Sequence, residues 1–137
     1  MTQKQKDILL KDLCARLPYG VKVQSYDLDD DMETIETLRE IDSDGYVSTI
    51  ECDTLKHTLK PYLFPMSSMT EEQQNSFPFS YSFLEALIDG SVYFDEDECI
   101  TLNDMIDIIQ WCYKNHFDIY GLIPMGLAID ATGLNIY

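Results

Sequence analysis

The chain has 137 residues, 45% of them apolar and 12% aromatic, enough for one domain with a real core and too apolar for disorder throughout. Nine Lys and Arg against twenty-five Asp and Glu give a formal net charge of −16, a surface that repels phosphate and argues against direct nucleic-acid binding or docking on anionic lipid. No run approaches the roughly 20 consecutive apolar residues of a membrane helix. Residues 1–7 are polar with no apolar stretch of a secretion signal, so a cytoplasmic protein is expected.

Residues 3–17 read as a helix with Ile8, Leu9, Leu13, Cys14 and Leu17 on one face, ended by Pro18 and Gly20. Val21, Val23 and Ser25 then alternate with Lys22, Gln24 and Tyr26 as a strand. Residues 27–31 are an acidic turn. Beyond it, residues 32–41 and 46–52, rich in Thr, Ile and Val, flank Asp44-Gly45, a hairpin signal. Leu55, His57 and Leu59 alternate with polar neighbours as a further strand that Pro61 closes. These elements predict an antiparallel meander of about four strands packed on the first helix.

Residues 65–80 form the joint to the second half, with Pro65, Pro78 and a polar run; Thr70 with Gln73 has the form of a capping box. Ser82 with Glu85 repeats that signature ahead of Phe83, Leu84, Leu87 and Ile88, and Gly90 is placed to end the helix. The clearest helix of this half runs over residues 102–115. Thr101 caps it, Asp104 favours its N-terminal dipole, Lys114 its C-terminal end, and Leu102, Met105, Ile106, Ile109, Cys112 and Tyr113 make a stripe expected to be buried. The tail, 121–137, packs back on the core with a short strand near 127–129. The expected fold is thus α+β, a single domain over 1–137: helix plus β-meander (1–64), joint (65–80), helical part (81–137).

The charge is unevenly placed. Residues 27–53 hold eleven acids and only Arg39, and between Lys60 and Lys114 there are ten acids and no Lys or Arg. Cys14, Cys52, Cys99 and Cys112 form no CxxC pair and are expected reduced, with Cys14 and Cys112 acting as small hydrophobes on apolar helix faces.

Three phrases carry a resemblance: Cys14-Ala-Arg-Leu-Pro-Tyr-Gly-Val-Lys-Val, Lys60-Pro-Tyr-Leu-Phe-Pro-Met-Ser-Ser-Met-Thr-Glu-Glu, and Asn115-His-Phe-Asp with Gly121-Leu-Ile-Pro-Met-Gly-Leu-Ala. The chain resembles, in these phrases, a group of small uncharacterised proteins of gut Bacteroidales, their phages and mobile elements. The resemblance implies a bacterial or phage cytoplasmic setting and one domain spanning the chain. It implies no activity, cofactor or catalytic residue.

The sharpest chemical pattern is residues 40–51, which fit the twelve-residue calcium loop: oxygen ligands from Glu40, Asp42, Asp44, the Tyr46 carbonyl, Ser48 and bidentate Glu51, with Gly45 at the turn. Leu28, Met32, Ile35 and Leu38 would form its entering helix. Against this, Glu40 is one methylene longer than the aspartate the first position prefers, and the loop has no partner elsewhere in the chain. A β-hairpin turning at Asp44-Gly45 explains the same glycine and the β-branched flanks. A zinc set of Cys52, His57, Cys112 and His116 has the helical i, i+4 spacing in its last pair but lacks knuckle spacing; a buried thiol and a half-exposed histidine are the simpler reading.

No nucleophile elbow, phosphate-cradling glycine loop or HExxH motif is present, and the acid runs 27–31 and 95–98 are adjacent charges in turns, so no catalytic residue and no cofactor are expected. Most aromatics, Phe64, Tyr81, Phe83, Trp111, Phe117 and Tyr120 among them, are expected to fill the core, with Phe77 and Phe79 exposed beside Pro78. The functional expectation is a non-enzymatic interaction protein that binds a basic protein through Phe77, Phe79, Asp95, Glu96, Asp97 and Glu98, in one version by imitating the charge of nucleic acid. The alternative is a calcium-binding module at 40–51.

Overall fold

The computed structural model describes residues 1–27, 32–42, 47–48, 53–54, 59–91, 93 and 95–137. The first helix, α1 (Gln3–Arg16), starts at a reciprocal cap in which Thr2 Oγ1 accepts from the Gln5 amide and the Gln5 side chain accepts from the Thr2 amide. It tightens into a 3₁₀ turn, Leu17–Tyr19, that Pro18 opens and Gly20 closes at φ +66°. That left-handed conformation suits glycine and turns the chain into the first strand.

Strand β1 (Lys22–Asp27) pairs antiparallel along its whole length with β2 (Met32–Thr37), from Lys22 opposite Thr37 to Asp27 opposite Met32. Side chains reinforce that register across the ladder. Ser25 and Thr34 hydroxyls lie 2.7 Å apart, Lys22 Nζ donates to Thr37 Oγ1 at 2.7 Å, and Gln24 donates to Glu33 at 2.8 Å. On its other side β1 meets β6 (Lys60–Leu63), which in turn pairs parallel with β7 (Ile129–Asp130), giving the order β2-β1-β6-β7. Between them β3 (Glu40–Ile41), β4 (Val47–Ser48) and β5 (Asp53–Thr54) form a second, three-stranded antiparallel sheet.

The architecture is α+β: an N-terminal helix, a small mixed sheet and a helical C-terminal part. Two details differ from the sequence-based expectation. Pro61 does not close a strand but lies inside β6, opposite Val23, and the ladder to β1 spans only the Lys60 and Pro61 positions. A residue without an amide hydrogen is tolerated there, next to the start of a short strand. The sheet is also not a simple meander, because β6 joins β1, and β7 joins β6 in parallel, from distant parts of the chain. The expected strand at Leu55 to Leu59 falls largely on residues outside those described.

The second half begins with a 3₁₀ turn, Met66–Ser68, and α2 (Glu71–Asn75), whose Thr70 and Gln73 make the reciprocal cap read from the sequence. Helix α3 (Tyr81–Asp89) is capped by Ser80, whose Oγ accepts from the Phe83 amide, two residues earlier than the Ser82 cap expected; Gly90 ends it at φ +66°. Helix α4 (Leu102–Lys114) starts at the cap of Thr101 and Asp104. No helix among the described residues is long and apolar enough to cross a membrane.

Two apolar clusters hold these pieces. Leu9 and Leu13 of α1, Val21 and Val23, Leu38, Leu59, Leu63, Leu122, Leu127 and Ala128 form the first, between helix and sheet. Met69, Phe77, Leu84, Ile108, Cys112 and Phe117 form the second, wrapped by Phe64, Phe79, Phe83 and Trp111. The rings meet edge-on and stacked, with Phe77 5.2 Å from Trp111 and Trp111 5.5 Å from Phe117, and the Trp111 indole donates to Ser76 Oγ at 3.3 Å.

Candidate functional site

A buried ion pair joins the two halves and fixes how α4 sits. Asp12 and Arg16 lie on the same stripe of α1 as Leu9 and Leu13, and both are 0% exposed. Arg16 grips Asp12 with two hydrogen bonds, Nε to Oδ2 at 2.7 Å and Nη2 to Oδ1 at 3.0 Å, and Nη2 also donates to the Phe117 carbonyl at 2.6 Å. The guanidinium carbon stands 4.9 Å from the centroid of the Tyr113 ring on α4. Burial pushes the Asp12 carboxyl up, against the pull of Arg16.

Just past α4, His116 takes the left-handed conformation at φ +60° and turns the chain so that Phe117 bridges to Phe64 at the end of β6. The His116 ring stacks on Tyr137 with centroids 3.8 Å apart. Tyr137 in turn donates its hydroxyl to the Tyr62 carbonyl at 2.7 Å and accepts from the Lys22 amide at 2.9 Å, tying the tail to β1 and β6. Burial, with Arg16 nearby, lowers the His116 pKa to about 4, and burial raises that of Tyr137 to about 12. Arg16 Nη1 and His116 Nδ1 are buried without a hydrogen-bond partner. Asp118 accepts from the Leu122 and Ile123 amides at 2.8 and 2.9 Å, which braces the following turn. The hydrogen bonds of this cluster tie α1, the end of α4, β1, β6 and the tail to one another.

That packing buries the C-terminal end of the stripe expected on α4, at Cys112 and Tyr113, and leaves the N-terminal part of the stripe outside. Ile108, Cys112 and Tyr113 are its buried residues, whereas Leu102, Met105, Ile106 and Ile109 are 77%, 37%, 42% and 42% exposed. The four exposed residues stand at i, i+3, i+4 and i+7, one continuous apolar ridge on the outside of the molecule. Asp95, Glu96 and Asp97, in the segment leading to α4, are exposed; Glu98 is half-buried, with Oε2 buried and unpartnered. Asp95 also accepts from the Asp97 amide, which holds this acidic turn in shape.

The other expected sites fare differently. Phe77 is 9% exposed and Phe79 half-buried against Phe83, so the aromatic pair belongs to the second core cluster and not to the surface; the exposed ring of that region is Tyr81. Of the calcium-loop residues, Asp44, Tyr46 and Glu51 lie outside the described residues, as does the Ser48 side chain. Glu40 and Ser48 face each other in the β3–β4 ladder; of the segment expected as the entering helix, Leu28 lies outside the described residues and Met32–Thr37 is β2, an extended strand. Strong pairing with β1 outweighs the helical spacing of Met32, Ile35 and Leu38.

For zinc, Cys52 and His57 lie outside the described residues. His116 is buried and beyond the Asn115 cap of α4, so it does not share a helical face with Cys112, whose thiol burial pushes up to about 11. Among the described residues no group of three or more His, Cys, Asp or Glu is gathered to hold a metal ion. Cys14, expected on the apolar face of α1, is exposed, because Asp12 and Arg16 occupy that face instead. A shallow hollow lined by Lys6, Leu9, Leu10 and Leu13 carries Lys6 as its one titratable side chain. No family model, curated protein or solved structure matches this chain.

Proposed function

We propose that the chain is a non-enzymatic interaction protein whose acidic half, residues 61–113, binds a basic protein partner. The observation that carries this reading is the exposed acidic turn of Asp95, Glu96 and Asp97 in a stretch of chain with ten acids and no Lys or Arg. Charge of one sign spread over a folded body steers an oppositely charged protein and repels nucleic acid and anionic lipid. One form of this function is occupation of a groove that otherwise holds nucleic acid. On the three phrases quoted above, we place the protein in a bacterium, phage or mobile element, as an accessory factor.

The test compares the wild-type chain with Asp95→Asn/Glu96→Gln/Asp97→Asn as immobilised bait. A basic protein retained at low salt, released at high salt and weakened by the triple substitution supports the reading. Failure to retain any basic protein at low salt ends it.

A further inference from the structure

The ridge of Leu102, Met105, Ile106 and Ile109 lies outside both core clusters. Four neighbouring apolar side chains on one helix leave a patch on the order of 300 Å² in water, the size of the largest apolar patch on many monomers, which is often functional. We infer that this ridge is a docking site for one kind of partner, an amphipathic helix with an apolar stripe flanked by Lys and Arg. The inference rests on the acidic-half reading above and adds to it which surface is used and what shape the basic partner has.

Three features select that occupant. Helix α4 has its own backbone bonded internally and presents a ridge at i, i+3, i+4 and i+7, which a second helix covers by ridge-into-groove packing; it offers no free strand edge. At thirteen residues α4 is about 20 Å long, enough to seat between three and four turns of such a partner at a shallow crossing angle. The charge at its start is of one sign: Asp95, Glu96 and Asp97 are exposed in the segment leading into the helix, and the chain carries no Lys or Arg from there to Lys114. A second copy of this chain would bring another −16 against the first, and an anionic bilayer is repelled for the same reason. A cationic helix satisfies the ridge and the rim together.

The probe is a synthetic 18-residue helix with leucine on one face and lysine on the other. Its control is a peptide of the same composition with the leucines distributed around the helix. Each is titrated into the full chain by fluorescence anisotropy at low and moderate salt. The patterned peptide is expected to bind at least tenfold tighter than the control, and Ile106→Asn/Ile109→Asn is expected to remove that difference. Because both positions are exposed, the variant keeps its fold, which circular dichroism checks.

Equal binding of the two peptides, unchanged by the variant, overturns the inference and leaves the acidic-half reading standing. No binding of either peptide, while a basic protein is still retained on immobilised wild-type chain, overturns it in the same way. If that basic protein is absent too, both readings fall. A wild-type dimer in sedimentation that Ile106→Asn/Ile109→Asn dissociates would assign the ridge to a second copy instead and overturn the cationic-helix partner.

Discussion

Replacing Arg16 with methionine keeps much of the side-chain volume and removes a charge that carries three hydrogen bonds, two to Asp12 and one to the Phe117 carbonyl. It leaves the Asp12 carboxylate fully buried with no counter-charge, and breaking one partner of a buried pair costs about 3 to 5 kcal/mol. That is a large part of the roughly 5 to 15 kcal/mol by which a domain is stable. For a chain of this size it corresponds to a fall in Tm of about 10 to 20 °C. Urea and thermal unfolding followed by far-ultraviolet circular dichroism measure it.

Two controls separate the cause from general damage. Adding Asp12→Leu to Arg16→Met should restore most of the loss, since the buried charge is then gone. The deficit of Arg16→Met should also shrink as pH falls, because a buried Asp12 without its partner protonates easily. A loss below about 1 kcal/mol for Arg16→Met would refute the reasoning, as would a double variant no better than the single one.

Further expectations concern the same junction and the acid-rich loop. His116 has a folded pKa of about 4 against an ordinary value of 6.5. A depressed histidine favours the neutral form, so its contribution is fully present above pH 6.5 and is lost as pH falls from there to 4. By linkage the loss reaches about 3 kcal/mol, and it should be absent from the pH profile of His116→Phe. Tyr137→Phe keeps the stack on His116 and leaves the Tyr62 carbonyl and Lys22 amide without their partner; a loss of about 1 to 3 kcal/mol in urea unfolding is expected, and an unchanged midpoint would contradict the tie. Calcium titrated into the chain is expected to give no saturable heat, because a strand stands where the calcium loop needs its entering helix; a saturable isotherm abolished by Glu51→Gln would restore the calcium reading.

Local chemistry was the legible part of this sequence. The caps at Thr70 and Thr101, the stop at Gly90 and the alternation at Val21, Val23 and Ser25 depend on residues no more than four apart, and the structure places each as expected. Most of what failed depended on distant contacts, the cap of α3 at Ser80 instead of Ser82 being a local exception. The apolar residues of α4 cover a wide arc, and periodicity alone favours the ridge of Leu102, Met105, Ile106 and Ile109. The arc that is buried was selected by Phe77, Leu84 and Phe117 packing on Ile108 and Cys112.

The stripe of α1 carried its own unread signal. Leu9, Asp12, Leu13 and Arg16 share one face at i, i+3, i+4 and i+7, with two opposite charges at i, i+4 among apolar neighbours, a pattern that suits a buried pair. Cys14 lies off that face and is exposed. His116 was expected half-exposed at a helix end, and only the tertiary placement of Tyr137 explains its burial. The exposed acids Asp95, Glu96 and Asp97 were legible from charge alone, whereas the apolar ridge beside them was not, because a ridge on a helix reads as core until its neighbours are known.

Hydrogen–deuterium exchange of the full chain, alone and with the basic protein it retains, tests the central claim most directly. Slowed exchange is expected in α4 and the 95–101 segment on binding, with β1, β2 and α1 unchanged. Protection confined to α1 or to residues 27–53, with α4 exchanging as in the free protein, would contradict it.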